Sequence, residues 1–184
     1  MCCPLPAVGW YRASMQCALG ISPHTGWAAC VVAGGSLRNP QILASEVVEI
    51  LADPERFCYH RAAEMKRDEA REWIARARTK AIANAKRVLT PLMARTVSAC
   101  AIVAHATEAQ WDLEEILGSH SRIHMAEGCF YRDVLRAACT VPIYIVQPSS
   151  LDPSKVGRLA PPPWGRDQKL AALAAWTVVR NSVY

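Results

Sequence analysis

The sequence predicts an α/β domain on a mixed five-stranded sheet, three antiparallel strands and then two parallel ones, flanked by helices in the order β-β-β-α-β-α-α-β-α. Three features carry that expectation. Short apolar runs follow one another near the start, helical periodicity takes over after Asp53-Pro54, and later apolar runs alternate with helical stretches. Helical crossovers permit parallel pairing, so the last two strands, near 99–105 and 141–147, should add beside the first.

The first run, CALGIS (17–22), is closed by Pro23, His24, Thr25 and Gly26, and WAACVVA (27–33) follows as the second arm of a tight hairpin. Gly34, Gly35 and Ser36 interrupt the chain before QILASEVVEIL (41–51), the third strand. From 55 to 90 one long amphipathic helix is expected, with Pro54 at its first turn, Pro91 at its end or a kink, and Ile74, Ala81 and Val88 packed on a sheet face. Its charges mix both signs, which reads as a solvated face, and the alternative is an anion-binding stripe. ACAIVAHA (99–106) is a buried strand, WDLEEIL (111–117) a short helix stopped by Gly118, and 130–139 a further helix. VPIYIVQP (141–148) is the last strand, 149–165 a proline-rich loop, and 167–179 the final helix. Residues 1–15 read as a flexible extension and 16–184 as one domain.

Composition narrows the class of protein. The chain of 184 residues is 52% hydrophobic and 20% charged, which suits a buried core and not a disordered segment. A net charge of +5 permits contact with phosphates but falls short of a strongly basic nucleic-acid module. The eight cysteines form no C-x-x-C pair and lie mostly in apolar runs, so buried free thiols are expected in place of a disulfide framework. The opening MCCPLPAVGWYRASMQC lacks the basic region and continuous apolar stretch of a signal peptide, and no run reaches the ~18 apolar residues of a spanning helix. A cytoplasmic protein that avoids membranes is the expectation.

ALGISPHTGWA (18–28) resembles the first hairpin of the Holliday-junction resolvases and of the actin-like ATPases. Asp167, followed by QKLAALAAW, resembles the resolvase pattern in which an acid opens the last helix. Over residues 16–180 the element order is similar to the ribonuclease H-like superfold, and HMAEGCFYRD and PPPWGRDQK further resemble a group of bacterial proteins within it. The resemblance implies a site where the first strand, a central strand and the last helix meet. A two-metal nuclease needs converging carboxylates there, because hard divalent cations take oxygen ligands and must clamp both attacking and leaving oxygens. Ser22 stands where the G-I-D-x-G-T pattern has an aspartate, the central strand offers His105 and no acid, and only Asp167 is in place. The Pro23-His24-Thr25-Gly26 turn also resembles the phosphate-contacting hairpin of the ATPases, but those are duplications of the superfold and one copy consumes this chain.

The candidate catalytic residues are Asp167 and Glu127, and the candidate ligands for Mg²⁺ or Mn²⁺ are Asp167, Glu127, His124 and His120. Ser22, His24, Thr25, Trp164, Lys169 and His60 are candidate ligand-binding residues. In a continuous helix His120, His124 and Glu127 share a face, spacing that suits a metal site, although Gly118 and Gly128 bracket the segment. Each has a plainer reading: packing or capping histidines, Glu127 near a helix start facing its dipole, Asp133 paired with an arginine, and Asp167 as an N-cap or first-turn acid. The resemblance implies that Asp167 reaches Ser22 and the His24-Thr25 turn with Trp164 as a wall, while Glu127 and His124 approach from the neighbouring crossover.

Two functions follow. One is a non-catalytic or degenerate member that binds a ligand or partner; the other is a metal-dependent nuclease with an atypical acidic site. The missing acids favour the first. A homodimer is expected through the small residues Leu170–Ala175, Trp176 and the basic helix face, and nucleic acid is a candidate partner.

Overall fold

The computed structural model describes residues 16–36, 39–105 and 110–181; the extension expected over 1–15 lies outside the described residues. Strand β1 (Cys17–Pro23) is buried at every residue from Cys17 to Ser22, which requires cover on both faces and a neighbour at each edge. Strand β2 (Trp27–Ser36) pairs antiparallel on one side, with Ile21 opposite Cys30, and β3 (Asn39–Glu49) extends the meander, with Ala29 opposite Val47. On the other side β4 (Val97–Val103) runs parallel to β1, and β5 (Ile143–Val146) runs parallel to β4. The order β3-β2-β1-β4-β5, with β2 reversed, is the ribonuclease H-like arrangement that the element order predicts.

Side-chain alternation divides the strands between two cores. Leu19, Ile21, Cys30, Val32, Cys100 and Ile102 join the core that holds α2 (Arg67–Met93) and α4 (His120–Ala138). Ala18, Val31, Ala33, Ala99 and Ala101 join the core that holds α5 (Arg166–Asn181).

The single helix expected over 55–90 is broken. A 3-10 turn (Glu55–Phe57) leads into α1 (Cys58–Ala62), and α2 starts afresh after Lys66, whose backbone is extended. Trp73 holds the two pieces together by donating its indole N–H to the Cys58 carbonyl at 3.1 Å. The buried stripe of α2 is Ala70, Ala77, Ala81, Ala85, Leu89 and Leu92, whereas Ile74 and Val88 sit half-buried at its margins. Pro91 lies inside the last turn of α2, which runs on to Met93, so it does not end the helix.

The other boundaries also move. Helix α3 (Leu113–Leu117) is fixed by an Asp112–Glu115 capping box. Helix α4 begins at His120 where the sequence suggested 130, because Gly128 faces open space and costs only the ~1 kcal/mol of a mid-helix glycine. Strand β5 is shorter than 141–148, and the proline-rich loop contains 3-10 turns at Pro148–Ser150 and Pro153–Lys155. The run expected to serve a homodimer is spent inside the chain: Ala171, Ala172, Ala174 and Ala175 are fully buried, and Trp176 donates to the Gly34 carbonyl at 3.2 Å. Among the described residues no helix is long and apolar enough to cross a membrane.

Helix α5 lies close enough to β1 that a Cβ on Gly20 would overlap the Ala171 carbonyl. Gly20→Ala therefore forces helix and strand apart and should destabilise the fold by at least ~1–3 kcal/mol, read from the midpoint of denaturant unfolding. Burial also pushes the Cys30 and Cys58 thiols far up, while Cys139 is half-exposed and its thiol is held down by the neighbouring Cys100 thiol. Brief alkylation of the native protein at pH 8 should label Cys139 and spare Cys30 and Cys58, as read by peptide mass mapping.

Candidate functional site

The C-terminal end of β1 delivers Ser22, which is buried, into a turn closed by the His24 N–H donating to the Trp27 carbonyl at 2.8 Å. Gly26 takes φ +85° there, a conformation that favours glycine, and its carbonyl accepts from the N–H groups of Ile50 and Leu51 at 2.8 and 3.0 Å. The turn is thus pinned to the end of β3. The His24 ring stacks on Trp27, with centroids 4.1 Å apart and planes 5° from parallel. Its Nε2 lies 3.1 Å from Asp167 Oδ1 without the alignment of a hydrogen bond.

Asp167 reaches this turn from the first turn of α5. Thr25 is half-buried in the same turn. No second acid joins them from β4, whose residues are Val-Ser-Ala-Cys-Ala-Ile-Val. His105 follows that strand as an exposed residue, and its carbonyl accepts from Arg132. The Trp164 indole donates to the Gly157 carbonyl at 2.7 Å, packs against the core that holds α5, and lines a shallow cleft of about 260 Å³ with Ser154, Arg166 and Lys169. Trp164 thus forms one wall of the Lys169 cleft.

Glu127 and His124 belong to the opposite face of the sheet, on α4, and do not join Asp167. The two carboxylates approach from helices packed on different cores, and the expected convergence is not made. Nor does Glu127 sit at a helix start. It lies in the middle of α4, buried to 2% exposure, and its carboxylate holds α1. Oε1 accepts from the Tyr59 N–H at 2.8 Å and the His60 N–H at 3.3 Å, and it lies 3.4 Å from His60 Nδ1. Burial pushes the Glu127 carboxyl above the ordinary range, and those hydrogen bonds pull against it.

The His60 ring, fixed in this way, stands over two histidines of α4. His120 and His124 are one helical turn apart, and their Nε2 atoms lie 2.9 Å from each other. The His60 ring centroid is 5.5 Å from that of His120 and 4.7 Å from that of His124. One nitrogen from each of the three comes within 4.8 Å of the others, the one such His, Cys, Asp or Glu group among the described residues. His60 and His124 also line a cavity of about 500 Å³ with Asp53, Phe57, Arg61 and Glu64. Asp133, as the plainer reading had it, pairs with an arginine, its Oδ1 3.0 Å from Arg132 Nε.

Sequence reasoning placed His120 and His124 together by their spacing but set His60 apart as a lone residue. No local pattern links position 60 to α4; only the folding of α1 against that helix does.

No protein-family model and no curated protein matches the chain. Among solved structures it is similar to Thermus thermophilus RuvC in complex with Holliday junction substrate, at 16% identity over 91% of this chain and 96% of that one, with a TM-score of 0.48. It is similar also to a second T. thermophilus RuvC structure, at 17% identity over the same shares, with a TM-score of 0.45.

Glu127→Ala leaves the Tyr59 and His60 N–H groups without their acceptor and should cost ~1–3 kcal/mol in urea unfolding. Glu127→Gln, which keeps an acceptor oxygen, should cost less. Equal stability of wild type and Glu127→Ala would show that the carboxylate does not hold α1.

Proposed function

We propose that this chain is a non-catalytic binding protein on a ribonuclease H-like fold, with the cleft at the start of α5, beside Trp164, kept for an anionic, phosphate-bearing ligand. The observation that carries this is the state of Asp167. It is the carboxylate that the His24 ring contacts, and β4 brings no second acid to it. Serine on β1 and an acid-free β4 leave too few oxygen ligands to hold two divalent ions ~3.5–4 Å apart. One carboxylate supports at most a weakly bound, hydrated Mg²⁺ or Mn²⁺.

Binding needs less. Arg166 and Lys169 bring two cations to the cleft beside Trp164 and Ser154, and the chain carries a net charge of +5. Phosphate contacts of this kind are electrostatic and weaken with salt. Nucleic acid is the ligand class to try first.

Single-stranded and branched DNA, each titrated with Mg²⁺ and Mn²⁺, provide the test. The expected outcome is binding that falls with salt and is weakened in Lys169→Ala, with no cleavage by wild type or Asp167→Asn. Metal-dependent cleavage that disappears in Asp167→Asn would replace this reading with a nuclease; the absence of binding to either DNA would remove the nucleic-acid ligand.

A further inference from the structure

We infer that His60, His120 and His124 form a binding site for a borderline divalent transition-metal ion, Zn²⁺ first among them, with Glu127 as the group that orients His60. This site lies on the α1–α4 face and goes beyond the binding cleft at the start of α5. The two stand or fall separately.

The donor set selects the class of ion. Imidazole nitrogen is an intermediate ligand that suits zinc, copper and nickel, whereas Mg²⁺ and Ca²⁺ demand oxygen. The geometry fits as well. Tetrahedral coordination at ~2.0–2.1 Å per nitrogen places ligand nitrogens ~3.3 Å apart. His120 and His124 are at 2.9 Å, and all three donor atoms fall within 4.8 Å, so side-chain rotations without backbone movement bring the set to coordinating distance. His120 and His124 are presented by one rigid helix, which fixes two ligands before the ion arrives.

Glu127 supplies what a metal-binding histidine usually has, a carboxylate on its other ring nitrogen. With Nδ1 facing Glu127 Oε1 at 3.4 Å, the ring is held so that Nε2 is the coordinating atom. The carboxylate is itself anchored by the Tyr59 and His60 N–H groups, so it cannot swing into the coordination sphere without leaving α1 unsupported. Glu127 thus acts as a positioning residue, and His60 takes the place that helix spacing alone would give to the glutamate. Because His60 and His124 open on the cavity of about 500 Å³, three protein ligands leave the fourth position to water or to an outside donor.

The site is tested on the full-length protein, stripped with a chelator and titrated with Zn²⁺ against a chromophoric competitor. One equivalent should bind, and His120→Ala and His124→Ala, both at exposed positions, should lose it while keeping the wild-type circular dichroism and melting profile. Glu127→Gln should weaken binding by ~10–100-fold, and Asp167→Asn should leave it unchanged. Co²⁺ gives the second readout: visible bands of a tetrahedral nitrogen and oxygen environment, without the near-ultraviolet charge-transfer band of thiolate ligation. Failure to bind one equivalent, binding that survives both histidine substitutions, or a thiolate band would each overturn the site.

Discussion

The close approach of α5 to β1 is the constraint on which the rest of the molecule depends. A strand buried on both faces needs a helix on each, and the sheet tolerates α5 at this depth because Gly20 has no side chain and the helix presents alanines. That contact sets the height of α5 over the sheet. It thereby delivers Asp167 to the His24 turn and brings Trp176 to the Gly34 carbonyl. A larger residue at either partner would move all of these together, since packed interiors respond to a single methyl group.

On the opposite face polar contacts are added to an apolar core that holds α2 and α4. There the helices are joined by polar contacts running between elements: Glu127 to α1, Trp73 to the Cys58 carbonyl, and Tyr131 to the Arg56 carbonyl at 2.6 Å. Buried carboxylates are costly unless satisfied, and Glu127 is satisfied by backbone N–H groups that a short helix exposes at its first turn. The two candidate sites accordingly differ in character. The α5 edge is cationic and shallow; the α1–α4 site is rich in imidazole and anchored from beneath.

The sheet was legible because alternation and turn chemistry are local. CALGIS, the Pro23–Gly26 turn and WAACVVA contain their own register, and helical crossovers leave few ways to add β4 and β5. Helix boundaries were less legible, since they were decided by contacts between distant segments. The break between α1 and α2 follows from Trp73 and Glu127, and the early start of α4 follows from a face that buries Ile123 and Ala126 against Trp111 and Tyr59. The same limit governed the sites. The meeting of Asp167 with His24 was implied by the resemblance to the ribonuclease H-like superfold, whereas His60 meets His120 and His124 only because α1 folds back onto α4.

Trp176 and the carbonyl it binds lie 142 positions apart, and Gly20 and Ala171 are more remote still. The central strand is thus among the first parts of the domain to be synthesised and among the last to be sealed. Until α5 arrives, Ala18, Val31, Ala33, Ala99 and Ala101 form an uncovered apolar sheet face, the kind of surface that nascent chains must keep from neighbours. Closing such remote contacts takes a toll in chain entropy that local helix pairing does not, so assembly of this fold is governed by topology more than by the strength of any one segment.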